Sequence, residues 1–455
     1  MDVLSDIRKS PMTPFQVMAV SVALAMILLD GFDVAAMAYA APSLSAEWGV
    51  EPVMLGYLLS ASLFGMAAGS IFLTPLADFI GRRWLAVGSM FVITVGMALS
   101  AIAPDATWLL VVRLLTGLGV GGMMANLNVL VSEYASDARR GSIIGIYAAG
   151  YPIGATIGGV VAEPMIGAFG WEALFWVGAA LSGLMFLIAL ALLPESLDFL
   201  LARRPAGALE RSNRILARMG RAPLTELPAL PATDASGGGI AQIFRGTVRF
   251  RTFMLWIGYA CLVAAYYFAN TWTPQIIAQA SGEDTLGIRT GTLANLGGII
   301  GCFIFSALAI RFKSNRLLFG ALAAAAGSYV LFGLVFSVIP VAMGTAVLLG
   351  VLTTAGIAGF YAVAPGVYSA TARATGIGWM IGIGRLVSIA APILVGYLID
   401  GGWAPESIFY LFAIPLLIAA ACVAALSLSM KRGAGTTSAD ATASAAAPAA
   451  ARPTA

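Results

Sequence analysis

Residues 15–41 read FQVMAVSVALAMILLDGFDVAAMAYAA, an apolar stretch whose only charged residues are Asp30 and Asp33. An α-helix needs about 20 apolar residues to cross the roughly 30 Å of hydrocarbon in a bilayer, and this stretch is long enough. A strand of a membrane barrel would be about 10 residues long with alternating polarity, which the stretch does not have. It therefore predicts a membrane-spanning helix.

The rest of the chain repeats this pattern. Of its 455 residues, 60% are hydrophobic and 10% are charged, whereas roughly 25% are charged in a soluble domain. Because so apolar a chain cannot cover a water-facing surface, we predict an all-α integral membrane protein with twelve transmembrane helices. Besides 15–41, the predicted spans are 53–77, 84–104, 107–131, 141–162, 173–193, 253–277, 290–310, 317–339, 341–365, 374–399 and 407–430.

A polar segment divides the spans into two groups of six. It begins Pro194-Glu195-Ser196, continues with an arginine-rich amphipathic pattern and then becomes rich in Pro and Gly. This order predicts a helix on the membrane surface followed by a flexible linker. After the last span, a low-complexity tail is expected to be disordered. The predicted segments are 1–14 (N-terminus), 15–193 and 253–430 (two six-helix bundles), 194–252 (linker) and 431–455 (tail).

The basic residues predict the orientation. With both termini on one side, all but three of the 25 Lys and Arg residues fall in segments on that side, the exceptions being Arg113, Arg289 and Arg385. Basic residues concentrate on the cytoplasmic side of membrane proteins. We therefore predict that the N-terminus, the linker and the C-terminus are cytoplasmic.

The two halves look duplicated. In the first half, Arg140 opens a Gly-rich span and Trp171 starts the next helix, and in the second half Arg373 and Trp403 stand in the same order at a similar spacing. Transporters built from such parallel repeats place the substrate site between two bundles, near the bilayer midplane. The same location is expected here.

Composition excludes several classes of function. The chain has no histidine, which excludes His-based triads and His zinc sites. Its three cysteines, Cys261, Cys302 and Cys422, lie far apart inside apolar runs and form no disulfide framework or CxxC site. The net charge of +3 is too small to indicate nucleic-acid binding. We predict neither an enzyme nor a metal or cofactor site.

Residues 76–83, LADFIGRR, lie between the second and third spans. Gly81 allows a tight turn, Asp78 is suited to cap a helix or form an ion pair, and Arg82 and Arg83 are suited to meet acidic groups. This loop and the Gly-rich stretch that follows Arg113 resemble two sequence motifs of the major facilitator superfamily. The resemblance covers nearly the whole chain and implies a transporter of two six-helix bundles.

A narrower resemblance begins in the first span with LDGFDVAA at residues 29–36. Together with Trp272-Thr273-Pro274 and Gly384-Arg385-Leu386, it resembles the aromatic acid:proton symporter family, whose members import benzoate-type and hydroxybenzoate-type acids in bacteria. The resemblance implies alternating access, proton symport of an aromatic monocarboxylate and a place in the bacterial inner membrane. We expect the protein to function as a monomer.

Four charged residues lie inside the predicted spans: Asp30, Asp33, Arg113 and Arg385. A charged side chain at the bilayer centre costs roughly 2.5–3.5 kcal/mol, so each is a candidate for function. The aspartates share a helix face and are expected to carry the coupled proton. The arginines, whose planar fork suits a carboxylate, are expected to bind the anion. A buried structural pair between an aspartate and Arg113 is the alternative.

Other side chains would complete the site. Aromatic rings are expected to hold the substrate ring and asparagines its substituents, with ordinary helix packing and interhelical hydrogen bonds as the alternatives. Residues at the cytoplasmic loops are expected to form a gate. The substrate candidates are Tyr151, Asn270, Trp272 and Trp379, with Tyr147, Tyr266, Phe268, Tyr361, Asn126, Asn128 and Asn295 as further candidates, and the gating candidates are Asp78, Gly81, Arg82, Arg83, Glu133 and Arg140.

Two alternatives stay open. Pro194-Glu195-Ser196 resembles an element of sugar transporters, so another organic acid or a sugar-type solute is the alternative substrate. A sensor that binds a solute without transporting it is the other, and the absence of a signalling domain counts against it. Two acids in the first span and two arginines in the membrane favour an anion.

Overall fold

The computed structural model describes residues 3–228, 242–369 and 372–445. These residues contain twelve helices that are long and apolar enough to cross a membrane, which confirms the predicted spans. The helices are α1 (Pro14–Trp48), α2 (Pro52–Phe72), α3 (Arg82–Ala101), α4 (Ala106–Tyr134), α5 (Arg140–Phe169), α6 (Glu172–Leu192), α7 (Gly246–Ser281), α8 (Asp284–Arg311), α9 (Ser314–Val335), α10 (Ile339–Val363), α11 (Arg373–Asp400) and α12 (Pro405–Ala445).

Several helices extend past the apolar stretches because backbone hydrogen bonding continues after the hydrophobic part ends. α1 begins after Thr13, which forms a capping box with Gln16, and ends at Gly49 in a left-handed conformation with φ 60°. α7 begins at Gly246, inside the predicted linker. Since the described residues contain an even number of spanning helices, the start of α1 and the end of α12 lie on one side, called here the terminal side; the opposite side is called the far side.

The helices form two bundles with the same internal pairing. In the first half, α2 packs on α4, α1 on α5 and α3 on α6. In the second half, α8 packs on α10, α7 on α11 and α9 on α12. The halves meet mainly through α2 with α11 and through α5 with α8, two contacts that exchange places under a two-fold rotation. This pairing is the structural form of the duplication seen in the sequence.

Glycines bring the paired helices into backbone contact. A Cβ atom on Gly117 would lie 2.1 Å from the carbonyl oxygen of Ser62, and one on Gly121 would lie 2.0 Å from that of Met66. In the second half, a Cβ on Gly297 would lie 2.2 Å from the carbonyl oxygen of Val347. The expectation that the Gly-rich stretch after Arg113 permits close helix approach is thus met, at equivalent helix pairs in both halves.

The linker and the termini lie on the terminal side. After α6 come two short helices, Leu197–Arg203 and Ala208–Arg218, and the N-terminal helix Val3–Lys9 lies against the first of them through the ion pair of Arg8 with Asp198 at 3.2 Å. Residues 229–241, where the sequence predicts the flexible part, are outside the described residues.

The tail was expected to be disordered from Lys431, whereas α12 continues as a helix to Ala445. The many alanines of the tail favour a helix, because alanine has the highest helix propensity.

Candidate functional site

Asp33 and Arg113 form a closed ion pair inside the first half. Nη1 of Arg113 donates to Oδ1 of Asp33 at 2.8 Å and Nη2 donates to Oδ2 at 2.7 Å, with a further bond from Nη2 to the Asp33 carbonyl oxygen at 3.1 Å. The guanidinium is fully buried, and its carbon lies 5.6 Å from the centre of the Phe175 ring. Both terminal nitrogens of Arg113 are therefore occupied. This geometry corresponds to the alternative in which Arg113 forms a buried structural pair with an aspartate.

Asp30, one turn earlier on α1, has the opposite character. Its side chain is only 1% exposed, and neither carboxyl oxygen has a hydrogen-bond partner among the described residues. The charged groups that act on it electrostatically are Asp33 and Arg385. A buried carboxylate without a direct partner is energetically costly, whereas the Asp33 carboxylate is satisfied by Arg113.

Arg385 reaches the middle of the molecule from α11. It is partly buried, and the contact we find for its guanidinium is a weak one, from Nη2 to the sulfur of Met124 at 3.6 Å. Within the described residues it makes no ion pair of the kind that occupies Arg113. Met124 belongs to α4, so this contact joins the two halves. It involves one nitrogen of Arg385 and leaves most of its donors available.

A polar network joins the halves beside these charges. Nδ2 of Asn270 donates to the hydroxyl of Tyr151 at 3.2 Å, and Nδ2 of Asn295 donates to Oδ1 of Asn270 at 3.1 Å and to the hydroxyl of Tyr39 at 3.3 Å. The Tyr39 hydroxyl in turn donates to the carbonyl oxygen of Ala155 at 3.2 Å. Two of the substrate candidates, Tyr151 and Asn270, are thereby brought together, in partly buried positions.

The two tryptophan candidates lie elsewhere. Trp272 is buried and donates from Nε1 to the carbonyl oxygen of Pro392 at 3.1 Å, so its polar atom is already used in packing α7 on α11. Trp379 is 49% exposed and stacks on Trp256 at 5.8 Å. It precedes Arg385 by six residues, which at 3.6 residues per turn separates their directions by about 120°. The described contact of Trp379 is thus with Trp256 and not with Arg385, and its role in substrate binding stays a prediction.

The further aromatic and asparagine candidates divide in the same way. Tyr147 is buried next to Asp30 and Arg385 and donates to the Met124 carbonyl oxygen at 2.9 Å. Tyr266 packs on Tyr267 near the network, and Tyr361 meets the hydroxyl of Tyr259 at 3.1 Å. Three other candidates lie away from the centre. Phe268 packs on Phe409 and Phe412. Asn126 donates to the Arg82 carbonyl oxygen, and Asn128 is exposed.

Sequence reasoning missed three tyrosines. Tyr259 and Tyr267 on α7 both interact electrostatically with Arg385, and Tyr39 belongs to the polar network. The signal for the α7 pair was present, since Tyr259, Tyr267 and Asn270 are spaced by eight and three residues and so lie on one helix face. Tyr39 gave no such signal, because residues 30–42 of α1 are all buried and no face of the helix stands out there.

The gating candidates gather on the terminal side of the first half. Arg82 pairs with Glu133, while the amides of Arg82 and Arg83 donate to Oε1 of Glu195 at 2.8 and 3.1 Å. Gly81, with φ 100°, lies so close to Glu195 that a Cβ atom would come within 2.3 Å of Oε2. Sequence reasoning had noted Glu195 only as the start of the linker.

Two gating candidates stand apart from this cluster. Asp78 pairs with Arg203 of the linker at 3.3 Å, and both side chains are about half exposed. Arg140 begins α5, but its side chain is outside the described residues. The contacts described for the gating candidates thus tie the 76–83 loop to the linker and to α4.

On the far side, hydrogen bonds and an ion pair join the two halves directly. The ion pair is Arg289 with Glu163, whose Nε to Oε1 distance is 2.9 Å. Ser43 donates to Oδ2 of Asp284 at 2.5 Å, and the hydroxyls of Tyr57 and Tyr397 lie 3.2 Å apart. These contacts hold the bundles together at that end.

Known proteins resemble this chain over nearly its whole length. Residues 23–344 match the Major Facilitator Superfamily model. The 4-hydroxybenzoate transporter PcaK of Pseudomonas putida is 30% identical over 435 residues, which cover 93% of this chain and 95% of the relative. The gallate transporter of the same species is 30% identical over 438 residues, covering 93% of this chain and 94% of that one. The benzoate transport protein of Acinetobacter baylyi is 28% identical, covering 87% and 86%.

A solved structure supports the fold. A bacterial homolog to the human lysosomal transporter Spinster, in an inward-facing and occupied conformation, superimposes with a TM-score of 0.71 at 16% identity, covering 92% of this chain and 98% of that one. The family model and the curated relatives together show that the protein is a transporter and not an enzyme. The chain belongs to the Major Facilitator Superfamily and, within it, to the aromatic acid:proton symporter family that the motif in its first span had indicated.

Proposed function

We propose that the protein imports an aromatic monocarboxylate of the benzoate or hydroxybenzoate kind together with protons, by alternating access. The observation that carries the proposal is the pair of unsatisfied charges at the centre: Asp30 without a hydrogen-bond partner among the described residues, and Arg385 without an ion pair there. An organic anion and a proton are the two species that would satisfy them.

The anion would bind Arg385 through its carboxylate, since the guanidinium fork matches a carboxylate in geometry. Tyr147, Tyr259 and Tyr267 surround this position and supply apolar walls for a ring. The Tyr151–Asn270 pair offers a hydroxyl and an amide to a ring substituent. Relatives that carry 4-hydroxybenzoate, gallate and benzoate support this choice of substrate class.

Coupling would follow from competition for Arg385. When Asp30 is charged, its electrostatic partner is Arg385, and the arginine is held by the protein itself. A proton on Asp30 removes that attraction and frees Arg385 for the substrate. Binding of the proton and binding of the anion then favour each other without direct contact between them.

In this scheme the terminal side is the cytoplasmic face of a bacterial inner membrane, as the distribution of basic residues favours. The far-side contacts Glu163–Arg289 and Tyr57–Tyr397 then close the periplasmic end, as an inward-facing state requires. The residues around Arg82 would form the cytoplasmic gate when the molecule faces outward. One chain holds both halves of the site, so a monomer suffices.

The test is uptake of radiolabelled 4-hydroxybenzoate into proteoliposomes that contain the purified protein. We expect accumulation above the external concentration with an inward proton gradient and only equilibration without one. Because Trp379 lies about 120° from Arg385 on α11, a Trp379→Phe variant serves as the matched control and should transport normally.

A competition panel defines the substrate. We expect benzoate, hydroxybenzoates and gallate to compete with the label, and an aliphatic dicarboxylate or a hexose to fail. Competition by the hexose and not by benzoate would contradict the proposal and favour a sugar-type substrate. Binding without uptake under any gradient would favour a sensor.

A further inference from the structure

A cavity with four arginines in its wall lies on the terminal side, away from the central site. It measures about 380 Å³ and opens between the start of α3, the end of α6 and the linker helix Ala208–Arg218. This volume lies in the range of roughly 300–1,000 Å³ that is typical of small-molecule sites. Its basic side chains are Arg83, Arg211, Arg214 and Arg218.

Three of these arginines come from one face of the linker helix. Arg211, Arg214 and Arg218 are spaced by three and four residues, and all three are exposed. Among the described residues they make no ion pair. The acid in the cavity wall, Glu195, already accepts from the backbone amides of Arg82, Arg83 and Ser196. The cavity therefore has an unbalanced positive charge, which fits an anion.

The other walls place the cavity at the edge of the membrane. Trp84, on the first turn of α3, is half exposed and stacks under the guanidinium of Arg83 at 5.2 Å, and Phe15 at the start of α1 lies 5.8 Å from that of Arg218. Tryptophan at a helix end is typical of the membrane–water interface. On the same two helices, α3 and α6, the apolar side chains of Phe91 and Leu187 are exposed.

We propose that this cavity binds the phosphate-bearing headgroup of an anionic phospholipid, such as phosphatidylglycerol. The arginines would hold the phosphate, and the acyl chains would lie on the apolar surface that Phe91 and Leu187 expose. The bound lipid would attach the linker helix to the bundle, because its phosphate contacts Arg211, Arg214 and Arg218 of the linker while its chains contact α3 and α6. This site is independent of the central one and of the substrate proposed for it.

The test is native mass spectrometry of the full-length protein, delipidated in detergent and titrated with phosphatidylglycerol or phosphatidylcholine. We expect the unaltered protein to prefer phosphatidylglycerol by at least about tenfold. The triple variant Arg211→Gln, Arg214→Gln, Arg218→Gln should lose this preference. The matched control, Arg245→Gln, Arg249→Gln, Arg316→Gln, removes the same charge from exposed terminal-side positions outside the cavity and should keep it.

Three outcomes would overturn the proposal. The first is an undiminished preference in the cavity variant, and the second is an equal loss in both triple variants, which would indicate a general effect of charge. The third is that glycerol phosphate or inorganic phosphate displaces the lipid and binds by itself as tightly as phosphatidylglycerol does. The cavity would then be a site for soluble anions. A loss confined to the cavity variant, with no such displacement, supports the lipid site.

Discussion

The membrane interior contains two aspartates on one helix and two arginines on two others, and the two acid–arginine sets differ in how far their charges are satisfied. Asp33 and Arg113 belong to the same half and make two direct hydrogen bonds between their charged ends. Asp30 and Arg385 belong to opposite halves and interact only electrostatically. The first pair joins α1 to α4 within one bundle, whereas the second acts across the boundary between the two bundles.

Two identical side chains one turn apart on a helix can therefore lie in different surroundings. Residues three positions apart on a helix point in directions about 60° apart. That angle is enough for Asp33 to face α4 while Asp30 faces the boundary between the halves. The predictions that follow test whether the two sets differ as this geometry requires.

The largest expected effect is on folding, from breaking the closed pair. Arg113→Met would leave Asp33 charged and buried without its partner, and we expect a loss of roughly 3–5 kcal/mol of stability. Thermal unfolding in detergent measures it. The matched change Asp30→Asn, which removes no hydrogen bond, should leave the unfolding temperature nearly unchanged. Equal destabilisation by Asp30→Asn and Asp33→Asn would remove the distinction between the two sets.

The next effect is on coupling. Asp30→Asn imitates a permanently protonated carboxyl group, so the variant should bind and exchange substrate but no longer accumulate it under a proton gradient. Counterflow and gradient-driven uptake in the same proteoliposomes separate the two activities. Gradient-driven accumulation at the unaltered level would mean that Asp30 does not carry the proton.

A third effect separates the two arginines. Arg385→Lys keeps the charge but loses the planar fork, and losing charge-assisted hydrogen bonds of about 1.5–3 kcal/mol should raise the apparent KM by roughly 10–100-fold. The comparison variant is Arg113→Lys, for which we expect lower stability with little change in KM among the folded molecules. If Arg113→Lys raises KM and Arg385→Lys does not, the carboxylate is bound by the first half.

The smallest effect concerns the far-side ion pair that joins the halves. Its side chains are 53% and 32% exposed, so water and salt screen the pair and its contribution is small. Glu163→Gln should therefore shift the balance between conformations by up to about fivefold toward a far-side-open state. Labelling of a cysteine introduced at Ser60, on the α2–α11 contact, measures the shift.

The control for this experiment is Asp78→Asn, which removes a similarly exposed pair between the 76–83 loop and the linker helix. In the conformation described here that pair does not span the halves, so its loss should leave the labelling rate of the introduced cysteine unchanged. An equal change in both variants would show that the far-side pair has no special part in closing the molecule.

Much of the fold was predictable because the relevant properties can be counted along the chain. The length of an apolar stretch decides whether it crosses a bilayer, and all twelve spans were found on that basis. The glycines after Arg113 indicated close helix contact, and the structure places Gly117 and Gly121 against the backbone of α2. The sequence predicted disorder from Lys431, whereas α12 continues to Ala445, because low complexity and high alanine content point to opposite conformations.

The charged candidates for function can be identified from the sequence alone, since a charge within an apolar span is unfavourable wherever that span lies. How those side chains combine depends on the tertiary structure. The pairing of Asp33 with Arg113 joins residues 80 positions apart, and Arg385 reaches Met124 across 261 positions. Such contacts depend on how helices are rotated and packed against each other. The same dependence brings Tyr259 and Tyr267 of α7 toward Arg385 of α11. Their spacing shows that they share a helix face, but not which residue of another helix that face meets.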